Sequence, residues 1–482
     1  MQAVLRHGPP GELDVTPNAT DIFDSHRIIL IDATGVLSSF GSPPTGIPRV
    51  EKFLVTAALT DPDRAVKVVR YDRRRNAFRE LRASERQHII SDPDLDDLQS
   101  GKAGLTTTIR RVFRFIRNNS AIGRDADRYF GDLAAGNNRR RGFAYAAMKY
   151  LFRAYRLYHT VLKEPSSLWA AEHMRIIDPG AGIVLLSNQI VLASFLAKAL
   201  QATNRTAFIC HDVIPIIRSD LVVDAAHARR FAKNIALILQ SHATVICTSE
   251  TSAAMFTGTM TSAQAGAARI HRFPMPSILY EKAARTGRLS RISAPEPFIL
   301  YPSTIEARKN HLLLAQVWQQ AIDEGVALPK LVCVGKWGWG IDGLIEYLGK
   351  HPALSSRIEF IGPISDGALI DYYRSALFGV APSRLEGWGY CASEGLDFGI
   401  PVIISTDRAL RESTGGLMPA IDADDRAGWY AEIRRMTEDG AYRAALCQRI
   451  ASTHRPTAAA TSWTSIKVAL HDRVADAAAK PE

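Results

Sequence analysis

Two carboxylates eight residues apart, Glu386 and Glu394, lie in the stretch Ser383-Arg-Leu-Glu386-Gly387-Trp388-Gly389-Tyr390-Cys391-Ala-Ser-Glu394-Gly-Leu-Asp-Phe-Gly399-Ile-Pro401. The apolar runs ahead of it (Leu377 to Ala381) and behind it (Val402 to Ile404) have strand length, so the stretch reads as strand, turn, helix, turn, strand. Gly387 and Gly389 bracket Trp388 where the chain leaves the strand, and glycine tolerates the φ angles of such a turn. Glu386 then falls at a strand's carboxyl end. Glu394 falls early in the following helix, where N–H groups without intrahelical partners can hold an anion. In an open parallel sheet, ligands bind in the crevice outside the carboxyl ends of the strands. Carboxylates accept from hydroxyls and amides donate to phosphate, so the pair suits a ligand that is part polyhydroxyl and part phosphate, such as a nucleotide sugar. A helix-start carboxylate and a solvated surface glutamate would have the same spacing, and the pair alone leaves both readings open.

Other strand ends carry chemistry too. After Phe298 to Tyr301 come Pro302-Ser-Thr304-Ile-Glu306-Ala-Arg308-Lys309-Asn310-His311. Two fixed cations there would balance a diphosphate, though a basic pair in an exposed loop is common. Thr206 to Cys210 ends in His211-Asp212-Val-Ile-Pro215; a lone histidine is more often structural than catalytic. Near the start, Arg27 to Asp32 leads through a Gly-, Ser- and Pro-rich loop to Thr45-Gly46-Ile-Pro48-Arg49-Val50-Glu51, which reads as strand, loop and helix with Pro48 near its start. Backbone N–H groups of such a loop can approach a diphosphate, while Arg49 could equally be a solvated helix residue. Gly335-Lys-Trp-Gly-Trp and Ile361 to Asp366, at later strand ends, look like walls of a base pocket.

The Glu386 stretch resembles the Glu-x7-Glu signature of family 4 retaining glycosyltransferases, with Trp388 where Phe is commoner and Tyr390-Cys391 in place of a Leu-Pro-type pair. His211-Asp212-Val-Ile-Pro215 resembles the family's motif in the N-terminal domain, whose histidine lies across the cleft from the donor sugar. The run around Gly46 and Arg49 is similar to Thr-Gly-Ile-x-Arg-Val-Glu of a bacterial subset. Glu306-Ala-Arg308-Lys309-Asn310 resembles the Glu-x-Arg-Lys-Asn variant of mannosyl-transferring members, with Thr304 where more divergent members carry an arginine. The resemblance implies the GT-B architecture, an α/β fold of two Rossmann-like domains facing a central cleft. It implies front-face displacement with retention, in which His211 lines the reacting centre, Glu386 positions sugar hydroxyls, and Arg308 and Lys309 stabilise the charge developing on the diphosphate. Glu394 would hold the ribose or sugar beside Gly46, Thr304, Gly335, Gly387, Trp388 and Gly389 on the donor side, with Arg49 and Asp212 as acceptor or loop candidates. No cofactor is implied beyond the nucleotide-sugar substrate, GDP-mannose from the Glu-x-Arg-Lys-Asn run, and no metal. Asp92-Pro-Asp94 and Asp94-Leu-Asp96 match the Asp-x-Asp pattern of metal-dependent transferases but do not sit at a strand end. A UDP-sugar or GDP-fucose donor, a nucleotide-sugar epimerase or phosphorylase, and a non-catalytic scaffold binding nucleotide and membrane remain alternatives; no pyridoxal-bearing lysine is identifiable.

The elements that must position these residues alternate as β and α segments through both halves, which predicts parallel sheets with right-handed crossovers. At 482 residues, 46% hydrophobic and 22% charged, the chain is long enough for two cores. The expected division is 1–285 for the acceptor-side domain, with Met275 to Pro297 of linker composition, 286–455 for the nucleotide-sugar domain, and 456–482 for a helix returning to the first domain. An Arg-rich helical insertion is expected over about 72–180, where 12 Arg or Lys stand against 3 Asp between Ile109 and Arg156, 12 − 3 = 9 of the net charge of +10. Ile109, Val112, Phe113 and Ile116, and then Leu151, Ala154, Tyr155, Tyr158 and Leu162, form apolar stripes flanked by arginine. Over about 105–162 these suit an anionic membrane surface, or else pack on the protein; no nucleic-acid motif accompanies the charge. No apolar run of spanning length and no secretory signal is evident. Five scattered cysteines argue for reduced thiols. The expected location is the cytoplasm, peripheral on the inner membrane face, and the expected acceptor a lipid-linked saccharide.

Overall fold

The computed structural model describes residues 28–39, 46–72, 75–90, 176–177, 182–186, 206–241, 243–261, 264 and 269–479. The charged stretch 91–175, with its two amphipathic stripes and both Asp-x-Asp runs, and the helix expected over 190–200 lie outside the described residues.

The first half builds one sheet from β1 (Ile28–Asp32), β2 (Val66–Asp72), β3 (Ala77–Glu80), β4 (Ile176–Ile177), β5 (Gly182–Leu186), β6 (Thr206–Cys210), β7 (Thr244–Cys247) and β8 (Arg269–Arg272), in the order β4-β3-β2-β1-β5-β6-β7-β8. Neighbours from β2 to β8 run parallel; β3 is antiparallel to β2 and β4. The parallel strands are almost continuously apolar because helices cover both faces. Alternate residues of β1 therefore enter different cores, Ile29 and Ile31 on one side and Leu30 on the other.

The second half forms an all-parallel sheet of β9 (Phe298–Pro302), β10 (Lys330–Val334), β11 (Ile358–Ile361), β12 (Phe378–Ala381), β13 (Val402–Ser405) and β14 (Ala420–Ile421), in the order β11-β10-β9-β12-β13-β14. The strand order reverses between β9 and β12. Loops leaving these neighbours diverge, and the crevice between them is the ligand site that such a sheet offers.

The strand positions in the sequence are met, with two differences. Residues 77–90, inside the stretch expected to be inserted, pair with β2 as strand β3 and continue as the helix Ala83–Ile90; Asn76, in the left-handed region at φ 48°, makes the reversal. The linker-like stretch contains a helix, Ile278–Arg285, because Leu279 and Ala283 fall one turn apart and pack fully buried against Leu300 and Val332 of the second sheet. The helix Glu250–Thr257 is capped by Ser249 and Ser252 in a reciprocal box.

The chain crosses between the sheets at 274–277 and again at 454–459. The crossings touch: Ser277 N donates to Thr457 O at 2.9 Å, and Thr457 N to Ser277 Oγ at 3.0 Å. The returning helix, Ala459–Ala479, buries Trp463, Ile466 and Leu470 in the core that holds Ile29 and Ile31. Trp463 Nε1 donates to Asp61 at 2.5 Å, and Lys467 pairs with the same carboxylate at 2.8 Å. Trp463→Ala is expected to lower unfolding stability by about 3 kcal/mol, since it removes a buried indole and leaves Asp61 short of a donor. A shift in the urea midpoint reports this, and an unchanged midpoint would mean that the helix is not anchored there.

Candidate active site

Arg308 and Lys309 sit in a single 3-10 turn, Ala307–Lys309, directly after β9 and its short extension. Asn310 closes the turn in the left-handed region at φ 60°, its amide donating to Ala423 O at 2.7 Å, while Tyr301 Oη donates to Lys309 O at 2.7 Å. Across the sheet's reversal point, the loop after β12 brings in Glu386, which is 5% exposed. Arg308 Nη1 meets Glu386 Oε2 at 2.7 Å, and Lys309 Nζ bonds Glu386 Oε1. Arg308 also donates to Glu306 through Nε and Nη2 at 3.1 and 2.7 Å, and to Leu385 O at 2.7 Å. Burial alone would raise the Glu386 pKa; the charges of Arg308 and Lys309 outweigh it and hold it at about 2. A guanidinium has five N–H donors and an ammonium three, so the contacts among the described residues leave one of Arg308's and two of Lys309's available to a ligand.

His211 and Asp212 follow β6 and close on the same loop. A Cβ at Gly387 would stand 2.2 Å from the His211 carbonyl oxygen and 3.0 Å from Asp212 Cβ, so only glycine permits this approach of the two halves. Ser249 Oγ, after β7, donates to Gly387 O at 2.6 Å. His211 is 5% exposed. Asp212 accepts from Ile214 N at 3.0 Å; burial raises its pKa against the pull of Arg308. Gly389 is required on two counts, a φ of 92° and a Leu410 methyl 2.4 Å from its would-be Cβ. Trp388 donates to Ser393 Oγ at 3.2 Å and packs against the first core. Gly335 lies against the Ser303 carbonyl, 2.0 Å from its would-be Cβ, and Thr304 beside Gly338 is half-buried in the same loop layer. Gly46 begins the helix Gly46–Thr60, with the Tyr390 ring 3.9 Å from its would-be Cβ.

Glu394 belongs to a different cluster. It does not face a set of open helix N–H groups: Oε1 accepts from Arg49 Nη1 at 2.8 Å and Oε2 from Tyr373 Oη at 2.8 Å. Arg49 is itself 6% exposed and reaches Asp366 at 3.1 Å, so it is not a solvated helix residue. Burial dominates the Glu394 pKa, Arg49 only partly offsets it, and the carboxyl is pushed up to about 7. Ser249, Glu412 and Asp407 were not anticipated from sequence. Glu412 caps the Glu250–Thr257 helix from the other half, accepting from Glu250 N, Thr251 N and Thr251 Oγ1 at 2.6, 2.9 and 2.7 Å. Burial, then the Glu386 charge, raises the Asp407 pKa to about 6. Such cross-domain partners leave no spacing signal in a sequence. Surface depressions lined by Tyr430 and Arg434, and by Ile322 and Arg357, contain none of these side chains.

Residues 296–439, which carry Arg308, Lys309, Glu386 and Glu394, match the family described as "Glycosyl transferases group 1". This segment is a group 1 glycosyltransferase domain. The chain is similar to the serotype-specific mannosyltransferase WbdA of Escherichia coli, 33% identical over 116 residues that make up 24% of this chain and 14% of that protein. It is also similar to O-antigen chain mannosyltransferase B of Escherichia coli, 30% identical over 146 residues, 30% of this chain and 38% of that one. The chain thus spans well under half the length of these relatives. Sucrose-phosphate synthase from Thermosynechococcus elongatus superposes over 94% of this chain and 100% of its own with a TM-score of 0.52 at 16% identity. The fold is GT-B, and the group 1 glycosyltransferase domain is its second half.

Proposed function

We propose that the protein is a retaining, metal-independent glycosyltransferase that moves a hexose, mannose from GDP-mannose, onto a lipid-linked saccharide during surface polysaccharide synthesis. The observation that carries the reading is the Arg308–Lys309–Glu386 cluster at the reversal point of a group 1 glycosyltransferase domain, with His211 and Asp212 brought against the same loop. The mannosyltransferase relatives support the sugar, and the O-antigen chain mannosyltransferase among them supports the process. In this mechanism the bond from the anomeric carbon to the diphosphate oxygen breaks while the acceptor oxygen bonds the same face. The acceptor's proton passes to the departing diphosphate. The remaining N–H groups of Arg308 and Lys309 meet the charge that develops there, where preorganised donors act most strongly. Glu386, ionised at neutral pH, accepts from sugar hydroxyls through the lone pairs its cations leave open.

The location that fits is the cytoplasmic membrane face, reached through the basic segment at about 105–162, with no role for nucleic acid. Among the described residues no helix is long and apolar enough to cross a membrane. Melting curves and turnover with GDP-mannose, UDP-glucose, UDP-GlcNAc and GDP-fucose test the reading. GDP-mannose at about 100 times its Kd is expected to stabilise by about 2.7 kcal/mol and to be consumed only with a lipid-diphosphate saccharide. Stabilisation by a UDP-sugar instead overturns the donor, and stabilisation by none overturns the enzyme.

A further inference from the structure

Arg49 lies in the first turns of the Gly46–Thr60 helix, which packs on the first sheet, yet its guanidinium ends among helices of the second. The Arg49, Glu394 and Asp366 side chains are 7, 4 and 10% exposed. Lys282, on the helix that follows the first chain crossing, stands 3.5 Å from the remaining oxygen of Asp366. Elements of both domains therefore meet on one carboxylate whose orientation is fixed from two sides, by Arg49 and by Tyr373. Separating the domains would strand two buried carboxylates without their guanidinium, at a cost that a surface pair would not carry. Each Glu394 oxygen keeps a lone pair beyond these two bonds, enough to accept from a hydroxyl.

We propose that Arg49 is a positioning residue of the donor site: it reaches across the cleft to hold the Glu394 carboxylate, so that the nucleotide-sugar site of one domain is completed by the other. The proposal rests on the reading of the cleft as a nucleotide-sugar site in which Glu394 accepts donor hydroxyls. Electrostatics agree with the geometry. Burial favours the protonated carboxyl, and Asp397 and Asp366 push the same way. Tyr373 stabilises the charge by hydrogen bonding, Tyr390 lies alongside, and Lys282 acts mainly on Asp366. Arg49 is the largest influence that favours the ionised form. Removing it moves the balance at Glu394 further toward the protonated carboxyl.

The test uses the full chain and its Arg49→Ala, Arg49→Lys, Glu394→Gln and Arg49→Ala/Glu394→Gln variants. Calorimetric titration is run from about pH 6 to 9 with whichever of the four nucleotide sugars raises the wild-type melting temperature. Arg49→Ala is expected to weaken binding at least about fivefold at pH 7 and to recover as the pH rises, because raising the carboxyl's pKa by about a unit or more from about 7 cuts its ionised fraction there from about half to about a tenth or less. Adding Glu394→Gln to Arg49→Ala is expected to cost less than about twofold more, since the two act as a unit. Weakening by the same factor at every pH, weakening below about threefold, or a full Glu394→Gln penalty in the Arg49→Ala background would each overturn the proposal. Should Arg49→Ala not fold, Arg49→Lys carries the test: it keeps the charge but not the fork, and an unchanged affinity and pH profile sinks the idea. A wild type that binds none of the four sugars overturns the underlying reading and this proposal with it. Normal wild-type binding with unaffected variants overturns this proposal alone.

Discussion

Glu386→Gln is expected to lower kcat/KM by at least about 100-fold and unfolding stability by about 3 kcal/mol. The first loss follows from the site: the amide keeps the shape of the side chain but no longer aligns Arg308 and Lys309 or accepts from sugar hydroxyls on both oxygens, and one preorganised electrostatic contact carries an effect of this size. The second follows from burial. Removing one member of a buried ion cluster leaves cations without compensation, at about 3–5 kcal/mol, and Glu306 still balances Arg308, which places the expectation at the low end. Linkage gives the same magnitude: a folded pKa of about 2 against 4.5 for the unfolded side chain is about 3 kcal/mol at 1.36 kcal/mol per unit. Because the folded value is depressed, this stability is fully present above pH 4.5 and disappears as the pH falls toward 2. Urea midpoints of wild type and variant should therefore differ at pH 7 and converge in acid. Turnover within about tenfold of wild type would show that Glu386 is not at the reacting sugar.

Gly387→Ala is the second large effect. The added methyl would lie 2.2 Å from the His211 carbonyl oxygen, a backbone atom at the end of a buried strand that cannot swing aside. The β12 loop or the His211 loop must shift, and the two halves of the site separate by a large part of an ångström or more. Misplacement on that scale costs about 100-fold in rate. Each domain's core is remote from the contact, so the far-UV circular dichroism is expected to stay near wild type while turnover falls and the radius of gyration rises. Unchanged turnover would mean that the closed contact between Gly387 and His211 is not the reactive arrangement.

Residues whose chemistry depends on a local turn were legible in the sequence. Glu386, Arg308, Lys309 and His211 all follow apolar runs that can only be buried parallel strands, and the ends of such strands share one edge of a sheet. Glu394 was legible as a residue but not in its partner, because Arg49 lies 345 positions away and joins it only through the packing of two domains. The same reason hid Ser249 and Glu412, whose acceptors and donors belong to the opposite half. The Ile278–Arg285 helix was obscured by its setting between prolines and arginines, although Leu279 and Ala283 carry the one-turn spacing. Strand β3 was masked by its arginine: Arg79 is 4% exposed, and that burial is possible only because Glu85, on the next helix, takes two of its nitrogens.

The paired chain crossings have a mechanical consequence. A single connecting segment lets two bodies swivel and twist in any direction. Two segments side by side, laced at Ser277 and Thr457 and seated by His454 on Asp397 at 2.8 Å, behave as the two leaves of a door hinge. Rotation about one line stays soft while torsion across it meets resistance. Relative rotation of the two halves is therefore expected to be easiest about the line of the paired crossings.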